Sequence, residues 1–238
     1  MYQIKRKIAF SETAPDKKIR ITELMDHYQD VCTAQSEELG VGMNDLLARG
    51  YGWVASSWQI VVNRYPELGE EVIVGTGPYE FKAAMGMRAF RMETADGEVL
   101  SYANSIWSFL DVEKMTLSRI PADISGAYTL IDKPEMDYAP RKISIPEELA
   151  AREPIAVSYH HLDSNGHVNN AQYISMVEDM LPEGRRPRQI RVEYRASARM
   201  GDLIMPYVCE NPADDLYTVV LADTDMNPYV IVELWTKN

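Results

Sequence analysis

The sequence predicts an α+β protein in which a long helix followed by an antiparallel sheet occurs twice. Apolar residues recur at helical spacing in residues 21–39 and 168–181, and strand-like apolar stretches follow each of them. Turn-forming pairs such as Asp96-Gly97 separate the strand-like stretches. The order of elements in residues 1–120 returns after residue 154, which indicates an internal duplication.

The first half is predicted to contain one strand, the first helix and then four strands. Apolar and polar residues alternate from residue 2 to Phe10, which predicts a half-buried strand. Thr22 is the expected N-cap of the helix, and Gly40 is the expected stop. The four strands are predicted at residues 52–63, 71–76, 84–94 and 99–110.

The second half follows a stretch, residues 125–153, in which prolines are frequent and periodicity fades. This composition predicts a linker that runs over the surface. A strand around Val157, the second helix, and strands at 189–196, 202–210, 216–223 and 229–236 come next. The predicted organisation is therefore an N-terminal unit (1–124), a Pro-rich linker (125–153) and a C-terminal unit (154–238). Two such units can share a continuous sheet, as two subunits of a dimer would.

Composition excludes several classes of function. The chain has 238 residues, 46% of them hydrophobic, and a net charge of -12, which argues against general nucleic-acid binding. Cys32 and Cys209 show no disulfide or metal-ligand spacing, so we expect neither a metal nor another cofactor. No stretch approaches the ~18 apolar residues of a membrane span, and no secretion signal is evident. We therefore expect a cytoplasmic protein, and both a monomer and a homodimer are compatible with the sequence.

A polar cluster precedes the second helix and is the candidate site. Asp163, Asn165 and His167 alternate along the chain, and Asn169 and Asn170 follow them. Free backbone N–H groups and the positive end of the helix dipole favour negative charge at such a point. A carboxylate can orient a neighbouring group, an amide can hold a carbonyl oxygen, and an imidazole can act as a base near neutral pH. The alternative is that these residues only cap the first turn.

Motifs along nearly the whole chain resemble those of the acyl-acyl-carrier-protein thioesterases of plant plastids and bacteria. The first half carries NRYPELGEEV (63–72), Gly86 and Arg88, ANSIWSFLD (103–111) and LSRIPADI (117–124). The second half carries D-x-N-x-H-V-N-N-x-x-Y from Asp163 to Tyr173. The resemblance implies a tandem (double) hot-dog fold, in which two long helices are each wrapped by an antiparallel sheet.

The resemblance also implies an activity, the hydrolysis of the thioester that joins a fatty acyl chain to acyl carrier protein. By resemblance, His167 polarises or deprotonates water, Asn165 holds the thioester carbonyl or the water, and Asp163 orients one of them. The N-terminal unit would house the acyl chain, with Met and Trp side chains as candidate lining: Met25, Met43, Met85, Met87, Trp53 and Trp58. Acyl carrier protein is the implied partner.

One departure from the family pattern affects the assignment of a base. Plant members carry E/D-Y-R-R-E-C after the loop, and this chain has Ser197 at the second Glu and Ala198 at the Cys. Glu193 could take the place of the missing family acid if the geometry of its strand brought its carboxylate to the site. Otherwise, because Arg191 and Arg195 flank it at alternate positions, Glu193 lies on a solvated charged face.

Other functions remain open on the sequence alone: an acyl-coenzyme A thioesterase, a hot-dog protein that binds acyl groups without hydrolysis, and a hot-dog dehydratase. An acidic carrier would need a basic docking surface on this acidic chain. Residues 1–20 and 185–199 are the two candidates, and the second contains Arg185, Arg186 and Arg188, called here the arginine patch. Acyl-chain length is not predicted.

Overall fold

The computed structural model describes residues 1–236, which form two compact units. The first unit comprises Met1–Ser56 and Val62–Ala139. The second comprises Ser57–Val61 and the chain from Pro140 onward. Each unit is one antiparallel sheet with one main helix, which confirms the predicted α+β class.

The first unit contains a five-stranded sheet with the order β1-β3-β4-β5-β2 and three helices. Its elements are β1 (Tyr2–Lys7), α1 (Ile21–Glu38), α2 (Met43–Ala48), β2 (Tyr51–Val62), β3 (Glu71–Lys82), β4 (Met85–Thr94), β5 (Val99–Asp111), β6 (Thr116–Leu117) and α3 (Ala122–Gly126). Helix α1 buries Leu24, Tyr28 and Val31, which recur at i, i+4 and i+7. The Tyr28 ring lies 5.1 Å from that of Phe90 on β4, so the helix packs directly on the sheet.

Helix α1 confirms the predicted first helix to within one residue. Gly40 ends it with φ +69°, the left-handed conformation that glycine adopts without strain. The prediction for Thr22 is wrong, because Arg20 is the N-cap and Thr22 lies buried inside the first turn. Phe10 is also misplaced in the prediction. The strand ends at Lys7, and Phe10 opens a short 3-10 helix (Phe10–Glu12) with 83% of its surface exposed.

The second unit contains a sheet in which residues 57–61 of β2 pair with β9, followed in order by β12, β11, β10 and β7. Its further elements are β7 (Ala150–Ala151), β8 (Ile155–Ala156), a 3-10 helix (Tyr159–His161), α4 (Asn170–Glu178), β9 (Gln189–Tyr194), β10 (Leu203–Asn211), β11 (Leu216–Ala222) and β12 (Pro228–Trp235). Helix α4 is shorter than the predicted 168–181. The capping residue is Asn169, and turns replace the helix before Pro182.

Parts of residues 125–149 contact the sheets of the units to which they belong. In the first unit, the Ile131 N–H donates to the Pro78 carbonyl at 3.0 Å. In the second unit, Ile143 packs in a buried cluster with Val220, Ala222 and Ile231.

The two units repeat one local hydrogen-bond pattern between a 3-10 helix and the main helix. In the first unit, Thr13 forms an isolated antiparallel β-bridge with Ile19, and Lys18 forms one with Glu67. In the second unit, Leu162 bridges Val168 and His167 bridges Arg199. The internal duplication predicted from the order of elements thus extends to an equivalent backbone turn in the two units.

Candidate active site

Asp163 organises the loop that carries the candidate residues. Its Oδ1 accepts the N–H of Asn165 at 2.8 Å and the N–H of His167 at 3.2 Å. Its Oδ2 lies 3.4 Å from the side-chain Nδ2 of Asn165, and its own N–H donates to the His167 carbonyl at 2.8 Å. This is an Asx-type turn, in which one carboxylate replaces several backbone partners. The structure therefore brings Asp163, Asn165 and His167 into one loop.

Gly166 lets the chain turn between Asn165 and His167. Its φ is +73°, and a Cβ at this position would meet no atom within 4 Å, so the requirement is conformational rather than steric. The equivalent position in the first unit is Lys17, with φ +65°. That first-unit turn carries Ala14, Asp16 and Lys18 where the second unit carries the candidate triad, so it lacks the carboxylate–amide–imidazole set.

The loop leads directly into helix α4. The Asn169 side-chain oxygen accepts the N–H of Ala171 at 2.8 Å, which caps the helix. The Tyr194 hydroxyl donates to the Asn170 carbonyl at 3.0 Å and ties the first turn to β9. The capping alternative thus holds for Asn169, whereas Asn165 and His167 lie before the cap, exposed and half-buried respectively.

The segment after β9 runs antiparallel to the loop. The Val168 N–H donates to the Ala198 carbonyl at 2.9 Å, and the Ala198 N–H donates to the Tyr173 hydroxyl at 2.8 Å. Burial raises the pKa of Tyr173 to about 12, so its hydroxyl stays neutral near pH 7. Ser197, which precedes this pairing, is exposed, and Ala198 is completely buried.

Glu193 lies apart from the loop. The residue is 7% exposed, and its carboxylate accepts the Ile143 N–H at 2.8 Å through Oε2 and the Arg195 Nε–H at 3.2 Å through Oε1. The neighbouring Tyr194 points toward helix α4, so Glu193 points to the opposite face of β9. The predicted solvated charged face is wrong at Glu193. Its orientation favours a structural role over the substitution for the family acid.

The two histidines that precede the loop have other surroundings. The His161 Nδ1 accepts the Ser158 N–H at 3.1 Å and closes the 3-10 helix. His160 is exposed, and its ring lies 6.4 Å from that of Tyr159. Neither contacts the Asp163 carboxylate through a hydrogen bond within residues 1–236.

The six candidate acyl-lining residues lie in different surroundings, and Met85 and Met87 on β4 are half-buried. Met25 and Trp58, the latter in the β2 segment of the second unit, are buried core residues at 0% and 2% exposure, and Met43 is exposed. Trp53 instead packs against Phe81 and Phe109. Sequence reasoning missed the larger aromatic cluster around it, whose members are spread over three strands and the chain after α3: Tyr51, Trp53, Phe81, Phe109 and Tyr128.

Residues 1–236 contain no group of three or more His, Cys, Asp and Glu side chains placed to hold a metal ion. In the same part of the chain, every helix is too short or too polar to cross a bilayer.

Comparisons with known proteins identify relatives of the chain. It is 26% identical over 223 residues to a chloroplastic acyl-[acyl-carrier-protein] hydrolase of Cuphea viscosissima, covering 86% of this chain and 53% of that protein. It is 28% identical over 207 residues to a chloroplastic palmitoyl-acyl carrier protein thioesterase of Arabidopsis thaliana, covering 77% and 49% respectively. The chain thus spans about half the length of these relatives.

Solved structures with the same fold include an acyl-ACP thioesterase from Bacteroides thetaiotaomicron, with a TM-score of 0.89 and 18% identity over 99% of this chain and 97% of that one. The 12:0-ACP thioesterase from Umbellularia californica has a TM-score of 0.86 at 19% identity, over 98% and 95%. These matches confirm the predicted double hot-dog fold.

Family models match both halves of the chain. The acyl-ACP thioesterase N-terminal domain matches residues 1–128, more than half of the chain, and the C-terminal domain matches residues 146–218. The candidate loop lies within the second match. The chain therefore belongs to the acyl-acyl-carrier-protein thioesterase family.

Proposed function

We propose that the protein hydrolyses the thioester bond of fatty acyl-acyl carrier protein, releasing a free fatty acid and the carrier. The observation that carries this proposal is the loop in which Asp163 orients Asn165 and His167 at the start of helix α4. Membership of the family supplies the substrate class. Because the chain spans only about half of its curated relatives, their substrates remain part of the proposal.

In this proposal the three loop residues have separate roles. The His167 imidazole takes a proton from water, and the water oxygen attacks the thioester carbon. Asn165, whose backbone and amide are both held by Asp163, uses its remaining amide donor to hold the carbonyl oxygen or the water. The C–S bond then breaks, and the carrier thiolate takes the proton from His167. Asp163 fixes the positions of the other two residues and is a positioning residue.

The N-terminal unit, residues 1–124, houses the acyl chain in this proposal, and the C-terminal unit, residues 154–238, carries the chemistry. The aromatic cluster around Trp53 supports an apolar ligand site in the first unit, because rigid rings and aliphatic chains pack well together. Its neighbouring cleft is lined by Phe81, Ala83 and Ile120 among others. The depth of that site would set the preferred chain length.

The arginine patch is the proposed docking surface for the acidic carrier. Arg185 is exposed and lies 3.3 Å from Asp215, so part of its charge is already balanced. Arg188 is exposed as well. In the competing stretch, residues 1–20, Arg6 pairs with Asp30 and Arg20 pairs with Glu23. The patch leads through β9 into the segment that pairs with the His167 loop, which favours it as the docking surface.

Both cysteines are free thiols, which agrees with a reducing, cytoplasmic setting. A homodimer is part of the same proposal and would be tested by the mass of the purified protein in solution. Neither cysteine lies in the candidate loop, so we expect Cys32→Ser and Cys209→Ser to retain activity.

A substrate panel tests the proposed function. The purified protein would be given one acyl chain as its acyl-carrier-protein ester and as its coenzyme A ester, with free fatty acid measured by mass spectrometry. We expect release from both and a higher kcat/KM for the carrier ester. A higher kcat/KM for the coenzyme A ester would establish an acyl-coenzyme A thioesterase. Tight binding without release would establish a non-hydrolysing acyl-binding protein.

A further inference from the structure

We infer that Arg199 is a catalytic residue that stabilises the negative charge on the thioester oxygen, an inference that rests on the proposed function. Its position follows from backbone pairing. His167 and Arg199 form an antiparallel bridge, and the adjacent bond runs from the Val168 N–H to the Ala198 carbonyl. This pattern makes His167 and Arg199 a non-hydrogen-bonded pair, with Cα atoms about 4.5 Å apart.

Directly opposed residues of an antiparallel pair project their side chains to the same side, with Cβ atoms about 4.5–5.5 Å apart. Ser197 and Arg199 are both exposed on either side of the buried Ala198, which places Ser197 on that side too. Ala198, between them, is buried on the opposite side. The imidazole, the family's acid position and the guanidinium therefore share one side of the pairing.

Arg199 differs from three other arginines of residues 185–199, which have acidic partners: Arg185 with Asp215, Arg191 with Glu233, and Arg195 with Glu193. Within residues 1–236, no ion pair of Arg199 is present. Asp202 accepts the Arg199 backbone N–H at 2.8 Å through Oδ2. In the first unit, the equivalent bridged pair is Lys18 and Glu67, whose charges are opposite.

A cation beside His167 suits a site that lacks the family acid. With Ser197 in place of a carboxylate, no negative side chain at that position opposes charge building on the carbonyl oxygen. When the water oxygen attacks the thioester carbon, His167 takes the water proton and the carbonyl electron pair moves onto oxygen. The Arg199 guanidinium donates to that oxygen. Collapse reforms the carbonyl and expels the thiolate, which takes the proton from His167.

Arg199→Gln tests this role on three substrates that share one acyl chain: an N-acetylcysteamine thioester, which lacks phosphate and carrier, the coenzyme A ester, and the carrier ester. We expect kcat to fall about 10- to 100-fold on all three with little change in KM. This is below the 10²–10³-fold loss for a fully enclosed oxyanion donor because Arg199 is exposed. Arg199→Lys should recover part of the loss because it restores the positive charge.

Arg152→Gln is the matched control, since Arg152 is an exposed arginine of the second unit that pairs with Glu210 at 3.3 Å. It should leave kcat on every substrate unchanged. A rise in KM confined to the coenzyme A and carrier esters of Arg199→Gln would mean that Arg199 holds a phosphate, and would overturn the inference. An unchanged Arg199→Gln enzyme would overturn it while leaving the proposed function intact. A wild-type protein inactive on all three substrates would overturn both.

Discussion

Glu193→Gln separates a structural from a catalytic role for the buried acid on β9. The glutamine can still accept the Ile143 N–H, now held at 2.8 Å by the carboxylate, but it loses the charge that meets Arg195. A hydrogen bond to a charged group contributes about 1.5–3 kcal/mol and a neutral one about 0.5–1.5 kcal/mol. Because the Arg195 side chain is 38% exposed, solvent screens part of the difference. We expect Glu193→Gln to lower the free energy of unfolding by about 1 kcal/mol.

Glu193→Ala should lower the free energy of unfolding by more than Glu193→Gln does, since it leaves the buried Ile143 N–H without an acceptor. That penalty alone is about 1–3 kcal/mol. Ile143 is 3% exposed and belongs to the cluster with Val220, so loosening it should expose residues 140–149 to proteolysis. Glu210→Gln is the control. It removes the charge of an exposed ion pair with Arg152 and should change the free energy of unfolding by less than about 1 kcal/mol.

The assay measures urea unfolding, proteolysis and kcat of the folded protein for each variant. The structural assignment requires kcat of Glu193→Gln to stay within about twofold of wild type, far from the 10²–10⁴-fold effect of a general base. A kcat loss above 100-fold with unchanged unfolding would refute the reasoning and make Glu193 the water-activating group.

Three further predictions address charge, backbone and docking. Burial, together with the negative charges of Glu23 and Asp30, raises the pKa of Asp26 to about 6. Ionised Asp26 therefore lowers the free energy of unfolding; this cost is absent below about pH 4, grows up to about pH 6 and is constant above it. Asp26→Asn should raise the free energy of unfolding by about 2 kcal/mol at pH 8 and leave it unchanged at pH 3.5. An equal gain at both pH values would contradict this. Gly166→Ala should lower the free energy of unfolding by about 1–2 kcal/mol because the φ of Gly166 is +73°. Gly126→Ala, in helix α3, should not lower it. Equal changes in the two variants would exclude a conformational cause. Reversing the arginine patch to Glu should slow hydrolysis of the carrier ester several-fold at low salt and less at high salt, with an N-acetylcysteamine thioester unaffected; equal losses on both substrates would remove the docking role.

Local features of the sequence predict local structure well. The bounds of α1 follow from apolar spacing, and Gly40 marks its end, because helix periodicity and a left-handed cap both act within a few residues. The predicted strand at 71–76 is shorter than the observed one. Strand β3 continues to Lys82 because a register shift between Pro78 and Glu80 accommodates the proline within the ladder.

Features that depend on distant pairing could not be predicted. Glu193 is buried by Ile143, which lies 50 residues earlier in the chain, so its neighbours in sequence give a misleading picture of a solvated face. The loop of Asp163, Asn165 and His167 can be predicted from the sequence because its hydrogen bonds join residues that are close in the chain. The pairing of His167 with Arg199 depends on the register of two segments that are distant in the chain.

Hydrolysis by the His167→Ala variant tests the central claim most directly, because His167 is assigned to move the proton of the attacking water. Fatty acid release from one acyl-acyl-carrier-protein would be compared among wild type, His167→Ala and His160→Ala, the last an exposed histidine outside the loop. We predict a loss of about 10²–10⁴-fold in kcat for His167→Ala, with wild-type unfolding, and no loss for His160→Ala. Wild-type turnover by folded His167→Ala would contradict the account.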